Sequence, residues 1–257
     1  MDFIQYGTEN RVATITLNRP DKKNAFNSVM VSELHRTLKK AGQDNDVKVI
    51  IIKANGDAFC AGADLAYLKE LSKFTYEENL ADSMQLKEMF QQIYTLNKVV
   101  IAQVEGHAIA GGAGLATVCD LVFSVPEAKF GFTEVKIGFV PAIVSVFAIR
   151  KFGESHTKRL LFSGDLISTE DAKEIGLVNF ISAKELIDKE VKKFANHLVT
   201  KTSANSLALT KNLIVEIQQL GLEQALVYAA ELNTKARDSE DCKKGINAFL
   251  NKERIVW

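Results

Sequence analysis

The sequence is poor in the residues that build metal sites, disulfide scaffolds and flexible linkers. Its three cysteines, Cys60, Cys119 and Cys242, are odd in number and widely spaced. That argues against a disulfide framework and against a CxxC metal motif, and reads as reduced, structural thiols. The four histidines, His35, His107, His156 and His197, form no HxxxH or His/Cys cluster, so no metal is expected. Three prolines and no Ser/Gly-rich run leave no flexible linker. Net charge is also missing: 32 basic residues balance 32 acidic ones, and no basic stripe advertises nucleic acid or an anionic membrane as a partner. The most apolar stretch, residues 137 to 149, is interrupted by Gly138 and Pro141 and falls short of the roughly 20 residues that cross a bilayer. The N-terminal MDFIQYGTENR carries an acid where a signal peptide has basic residues, so a cytoplasmic protein is expected.

What is present is an ordinary globular composition, 47% hydrophobic and 25% charged over 257 residues. That length suits one domain with an appendage. VATITL at 12 to 17 and VKVIII at 47 to 52 read as a half-buried and a buried strand, and VVIAQV at 99 to 104 as a third. Between the last two, Thr75-Tyr-Glu-Glu78 forms a capping box ahead of Leu86, Met89, Phe90 and Ile93 at helical spacing. LVFS at 121 to 124 and AKFGF at 128 to 132 continue the strands, and helical patterns dominate from about residue 143. One late helix is expected to start near Thr202 or Ser203 and to stop at a left-handed Gly221. The pattern predicts an α/β body with an α-helical tail.

Two small-residue turns carry the chemistry. Ala58-Phe-Cys-Ala-Gly-Ala-Asp64 follows a buried strand and precedes a helical pattern, so Ala63 can present a bare backbone amide. A tight connection with no ligand explains that segment alone equally well. Gly106-His-Ala-Ile-Ala-Gly-Gly-Ala-Gly-Leu115 also leaves a strand and opens a helix near Gly112, whose amide end favours negative charge. Neither GxxxxGK[ST] nor GxGxxG fits it, which disfavours the familiar phosphate cradles; close helix packing is the remaining rival. Together the two turns could converge two N–H donors on one oxygen, as an oxyanion hole requires.

The chain resembles the crotonase, or enoyl-CoA hydratase/isomerase, family over nearly its whole length. The likeness rests on LNRPDKKNAF, FCAGADL, VEGHAIAGGAGLATVCDL, AKFGFTEVKIGFVPA, SGDLISTEDAKEIGLV and GINAFLNKE, in the family's order. It implies a spiral of ββα units over residues 1–195 and a helical trimerisation region over 196–257, assembled as a trimer or a dimer of trimers. The substrate would be an acyl-CoA, with coenzyme A part of the substrate and no separate cofactor. The resemblance assigns the oxyanion amides to Ala63 and Gly111. It runs coenzyme A past Lys23, Asn24, Ala25, Ala61, Ala63, Asp64 and Leu65, with Phe249 and Lys252 reaching the nucleotide end from a neighbouring subunit.

The catalytic carboxylates depart from the two-glutamate pattern of familiar hydratases. Gly114 stands where one glutamate is common, and only Glu134 remains, flanked by mostly apolar residues that would desolvate it. One base suffices to isomerise a 3-enoyl thioester, removing a proton from C2 and returning it at C4. Hydration is harder with one acid. A more local resemblance, in AGGAGL, GFTEVKIGFVPAIVS and KFTYEENLADS, is to bacterial methylglutaconyl-type hydratases of leucine breakdown, which also have glycine there, and it favours hydration. The reading of another class is a non-catalytic acyl-CoA-binding or assembly subunit.

Overall fold

The computed structural model describes residues 3–257, and in it the apolar runs become neighbours in one six-stranded sheet. An antiparallel hairpin, β1 (Ile4–Glu9) and β2 (Val12–Leu17), turns at Asn10 and Arg11, both with positive φ. Parallel to β2 follow β3 (Val49–Ala54), β5 (Val99–Val104), β7 (Leu121–Ser124) and β10 (Phe180–Ile181). The interior strands are covered on both faces, which is why their sequences are continuous rather than alternating. Ile50, Ile51 and Ile52 are no more than 3% exposed; burying each such side chain contributes about 1.5–3 kcal/mol.

After each of β3, β5 and β7 the chain crosses into a second, smaller sheet of very short strands: β4 (Ala58–Cys60), β6 (His107–Ile109) and β8 (Lys129–Gly131), mutually parallel, with β9 (Ile167–Ser168) antiparallel on β8. A long strand, a short strand and a helix thus form the repeating ββα unit of the spiral. The helices are α1 (Ser28–Gln43), α2 (Leu65–Leu71), α3 (Tyr76–Thr95), α4 (Gly111–Val118), α5 (Ala142–Ser163, kinked at Phe152 and Gly153) and α6 (Thr169–Glu174). Thr75 and Glu78 exchange hydrogen bonds of 3.2 and 2.8 Å at the start of α3, the expected capping box. Phe59, Phe90, Phe130 and Phe132 fill the space between the layers.

The C-terminal helices are α7 (Ile187–Lys201), α8 (Ala204–Ile217), α9 (Leu222–Asp238) and α10 (Glu240–Leu250). Two expectations change here. The boundary between residues 195 and 196 falls inside α7, which lies against β2, β3, β5 and β7 and therefore belongs to the body. Gly221 does not end a helix in the left-handed region: α8, capped by Ser203, ends at Ile217, and Gly221, with φ −67°, caps the start of α9. Buried lysines tie tail to body. Lys211 of α8 donates to the carbonyls of Ile93 and Lys98 at 2.9 and 3.0 Å and to Asp120 at 2.7 Å. Beyond α8 the tail loses its own core, since α9 buries no residue and α10 only Ala248. Among the described residues no helix is long and apolar enough to cross a membrane.

Candidate active site

The site is built where three adjacent short strands end. Strands in a sheet lie about 4.8 Å apart, so the exits of β4, β6 and β8 fall within roughly 10 Å of one another.

At the first exit, residues 61 to 64 are braced by the segment before α1. Lys23 and Asn24 are both left-handed, with φ of 51° and 53°. The Asn24 side chain is fully buried, accepting from Arg19 N and donating to the carbonyls of Asn55 and Ala58, each at 2.8 Å. Lys23 O accepts from Ala61 N at 3.0 Å. Phe26 forms a parallel bridge with Ala63: Phe26 N donates to Gly62 O at 2.6 Å, and Phe26 O accepts from Asp64 N at 2.8 Å. Backbone groups alternate in direction along an extended segment, so with Gly62 O and Asp64 N facing Phe26, the Ala63 N–H faces away from it. Ala63 itself is exposed.

At the second exit, Ala110 has φ 50° and ψ −121°, a conformation that costs a non-glycine residue about 1–3 kcal/mol and persists only where the surroundings impose it. It is held by Ala110 N donating to Gly131 O at 2.7 Å and by Gly114 N donating to Ala110 O at 2.9 Å. This bend releases the Gly111 N–H from the β6 ladder at the first position of α4, where no intrahelical acceptor exists. The turns abut. A Cβ built on Gly112 would lie 2.1 Å from Cys60 O, so only glycine lets α4 start against the end of β4. Gly62, at φ +89°, comes so near that a Cβ there would lie 3.6 Å from Gly111 N. Among the described residues, neither Ala63 N nor Gly111 N donates to a protein group. Cys60, at the end of β4, is buried, and burial pushes its thiol up to about 12, which removes it as a nucleophile.

At the third exit the chain leaves β8 beside Ala110 and reaches Glu134, the first residue of a short 3-10 turn, Glu134–Ile137, closed by Gly138 at φ 74°. Glu134 Oε2 is buried without a hydrogen-bond partner, and burial raises the carboxyl above its ordinary range. A carboxyl raised in this way keeps its proton to higher pH than an exposed glutamate, which suits a proton carrier. Gly114, one turn into α4, has no room for a side chain. A Cβ there would meet Val144 Cγ1 at 2.4 Å and the Phe90 ring at 3.1 and 3.2 Å. The ring of Phe147 packs edge-on against Phe90 at 6.3 Å.

The residues expected along coenzyme A divide into groups. Lys23, Ala61 and Leu65 offer accessible surface at the first exit. Asn24, Ala25 and Asp64 are buried. The Asp64 carboxylate is occupied, pairing with Arg19 at 2.6 Å and capping α2 through Ala66 N at 2.7 Å, so its side chain braces the loop rather than facing a ligand. Phe249 on α10 and Lys252 just beyond it stand on the C-terminal arm packed on α9, outside the strand-end cluster, with Phe249 83% exposed. Sequence reasoning missed Arg19, Phe26 and the strained Ala110. For Ala110 there is no signal, because its bend is imposed by Gly131; for Arg19 the only hint is an acid, Asp64, at the N-cap of a helix. Among the described residues no group of three or more His, Cys, Asp or Glu could hold a metal ion.

Comparison with known proteins finds relatives that span nearly the whole chain. The family model described as enoyl-CoA hydratase/isomerase matches residues 7–257. A Thermus thermophilus protein provisionally named an enoyl-CoA hydratase is 42% identical over 241 residues, covering 94% of this chain and 95% of that one. The crotonyl-CoA hydratase of Syntrophomonas wolfei is 33% identical over 248 residues, covering 96% and 94%. The crystal structure of an enoyl-CoA hydratase from Mycobacterium smegmatis superposes with a TM-score of 0.94 at 28% identity, covering 99% and 98%.

Proposed function

The chain belongs to the enoyl-CoA hydratase/isomerase family, and from that premise we propose that it adds water across the double bond of a short or branched 2-enoyl-CoA. The thioester oxygen accepts from the Ala63 and Gly111 N–H groups. Glu134, as carboxylate, takes a proton from water while the water oxygen bonds to C3, and the displaced π electrons reach the thioester oxygen as an enolate. Glu134 then returns that proton to C2, which restores both the thioester and the carboxylate. Two donors aimed at the oxygen lower the barrier because they are strongest when the charge has developed.

What supports this reading is that two unpartnered amides and one unpartnered buried carboxylate oxygen lie on the segments that leave adjacent strand ends. A short acyl group is supported by relatives named crotonyl-CoA hydratase and short-chain-enoyl-CoA hydratase. A methylglutaconyl-type acyl group is part of the proposal on local sequence resemblance alone. The second reading is isomerisation of a 3-enoyl-CoA, favoured by the closed space at Gly114, because one base can move a proton from C2 to C4. Absorbance separates the two. Hydration bleaches the conjugated enoyl thioester; isomerisation makes a 3-enoyl thioester gain that band. A panel of straight and branched thioesters showing neither change would reject both readings and leave a binding or assembly subunit.

We also propose that the chain works as a homo-oligomer, a trimer or a dimer of trimers. Its accessible surface is 13762 Å². A compact monomer of 28.4 kDa would have roughly 11,200 Å². Leu222, Leu226, Phe249 and Leu250 on the arm are each more than 60% exposed, an apolar surface that suits a second copy of the chain.

A further inference from the structure

An acid sits immediately after the amide proposed to hold the enolate oxygen. Asp64 follows Ala63, and its backbone N–H is fixed to Phe26 O. A carboxylate on the adjoining residue opposes a negative charge that develops at that amide. The counter-charge is Arg19. Its Nη1 lies 2.6 Å from Asp64 Oδ2, with the two side chains 13% and 8% exposed. The same nitrogen donates to Ala25 O at 3.2 Å, and the guanidinium lies 5.1 Å from the centre of the Phe3 ring. The other carboxylate oxygen accepts from Ala66 N at 2.7 Å. Arg19 is thus held from three sides against one carboxylate.

We infer that Arg19 is a positioning residue for the reaction: acting through Asp64, it cancels the charge beside the Ala63 amide so that this N–H meets the thioester oxygen in neutral surroundings. The inference rests on the proposed role of Ala63 and Gly111. Asp64 has a separate structural duty as the N-cap of α2, and asparagine caps a helix as well as aspartate does. Charge and structure can therefore be separated by substitution. Arg19→Gln leaves the carboxylate unpaired. Asp64→Asn removes the carboxylate and keeps the cap. The double substitution removes both charges.

The experiment measures kcat, KM and the thioester C=O stretching frequency of a bound 2-enoyl-CoA for the four proteins. In the wild type the stretch shifts to lower frequency on binding. In Arg19→Gln the shift shrinks and kcat falls about 100-fold, the scale of losing one oxyanion donor, while KM stays within about threefold because ground-state binding is spared. Asp64→Asn keeps the full shift, and the double variant recovers at least about tenfold of the lost kcat, since no uncancelled carboxylate remains. A merely structural ion pair would instead leave all three variants slow. The inference is overturned if folded Arg19→Gln keeps the wild-type shift and kcat, or if the double variant is as slow as Arg19→Gln. If Arg19→Gln does not fold, Asp64→Asn decides: a retained shift supports the inference and a lost shift overturns it. A wild type with no shift on binding would defeat the oxyanion reading itself, a different failure.

Discussion

Gly114→Ala should destabilise the protein, although alanine is the better helix former. The added Cβ would lie 2.4 Å from Val144 Cγ1 and 3.1 and 3.2 Å from two atoms of the Phe90 ring. Carbon atoms in good contact are about 3.5–4.0 Å apart, so the clash with Val144 exceeds 1 Å. Neither neighbour can withdraw to solvent: Val144 is 4% exposed and Phe90 is fully buried. Overpacking of this kind costs about 1–3 kcal/mol, against which a glycine-to-alanine change inside a helix returns about 1 kcal/mol. The net loss is up to about 2 kcal/mol, a fall in Tm of up to about 8 °C for a chain of this size. Val144→Ala alone loses stability through a cavity, but in the double variant the new Cβ enters the vacated space. The double-mutant cycle should therefore show favourable coupling of about 1–2 kcal/mol by thermal or denaturant unfolding. Gly114→Ala melting at or above the wild type, or strictly additive effects, would refute the picture of a space closed by Val144. The same geometry explains why a glutamate at 114 should not by itself create a second catalytic acid.

Two further outcomes follow from Glu134. Burial raises its pKa in the folded protein, so the carboxylate that accepts the water proton is lost at a higher pH than usual as the solution is acidified. The acid limb of kcat/KM should then lie above the ordinary glutamate value of about 4.3, and a limb at or below that value would argue against Glu134 as the base. A raised folded-state pKa also means that the protonated form stabilises the fold at low pH and that this stabilisation is lost as pH rises through the folded pKa. Glu134→Gln should therefore be more stable than the wild type at neutral pH, because the neutral amide removes a desolvated charge, with the advantage shrinking on acidification; equal melting at all pH values would contradict this.

What could be read from the sequence followed the physics of each element. β2, β5 and β7 appear where their apolar runs lie, and β3 begins two residues later than its run, at Val49. The α3 capping box is local chemistry and needs no tertiary context. Of the small sheet only β8, inside the AKFGF run, was legible; β4, β6 and β9 were out of reach, because strands of two or three residues carry no period and exist only through pairing with distant partners. α1 adds a helix to the expected set, although Met30, Leu34 and Leu38 carry the helical spacing. Gly221 shows the limit of residue preference, since glycine suits both the end of one helix and the start of the next. At the site, the two small-residue turns were visible because each needs glycine for close approach. The braces behind them were not. Arg19 with Asp64, Phe26 with Ala63 and Ala110 with Gly131 join segments far apart in the chain, and no spacing rule connects them.

The account centres on one carboxylate working beside two amides, and the most direct test is Glu134→Gln assayed for both turnover and binding. Glutamine keeps the size of the side chain but can neither take nor return the proton. The account predicts loss of enoyl thioester bleaching by about 100-fold or more, with affinity for the same acyl-CoA unchanged. A variant that turns over like the wild type would contradict it.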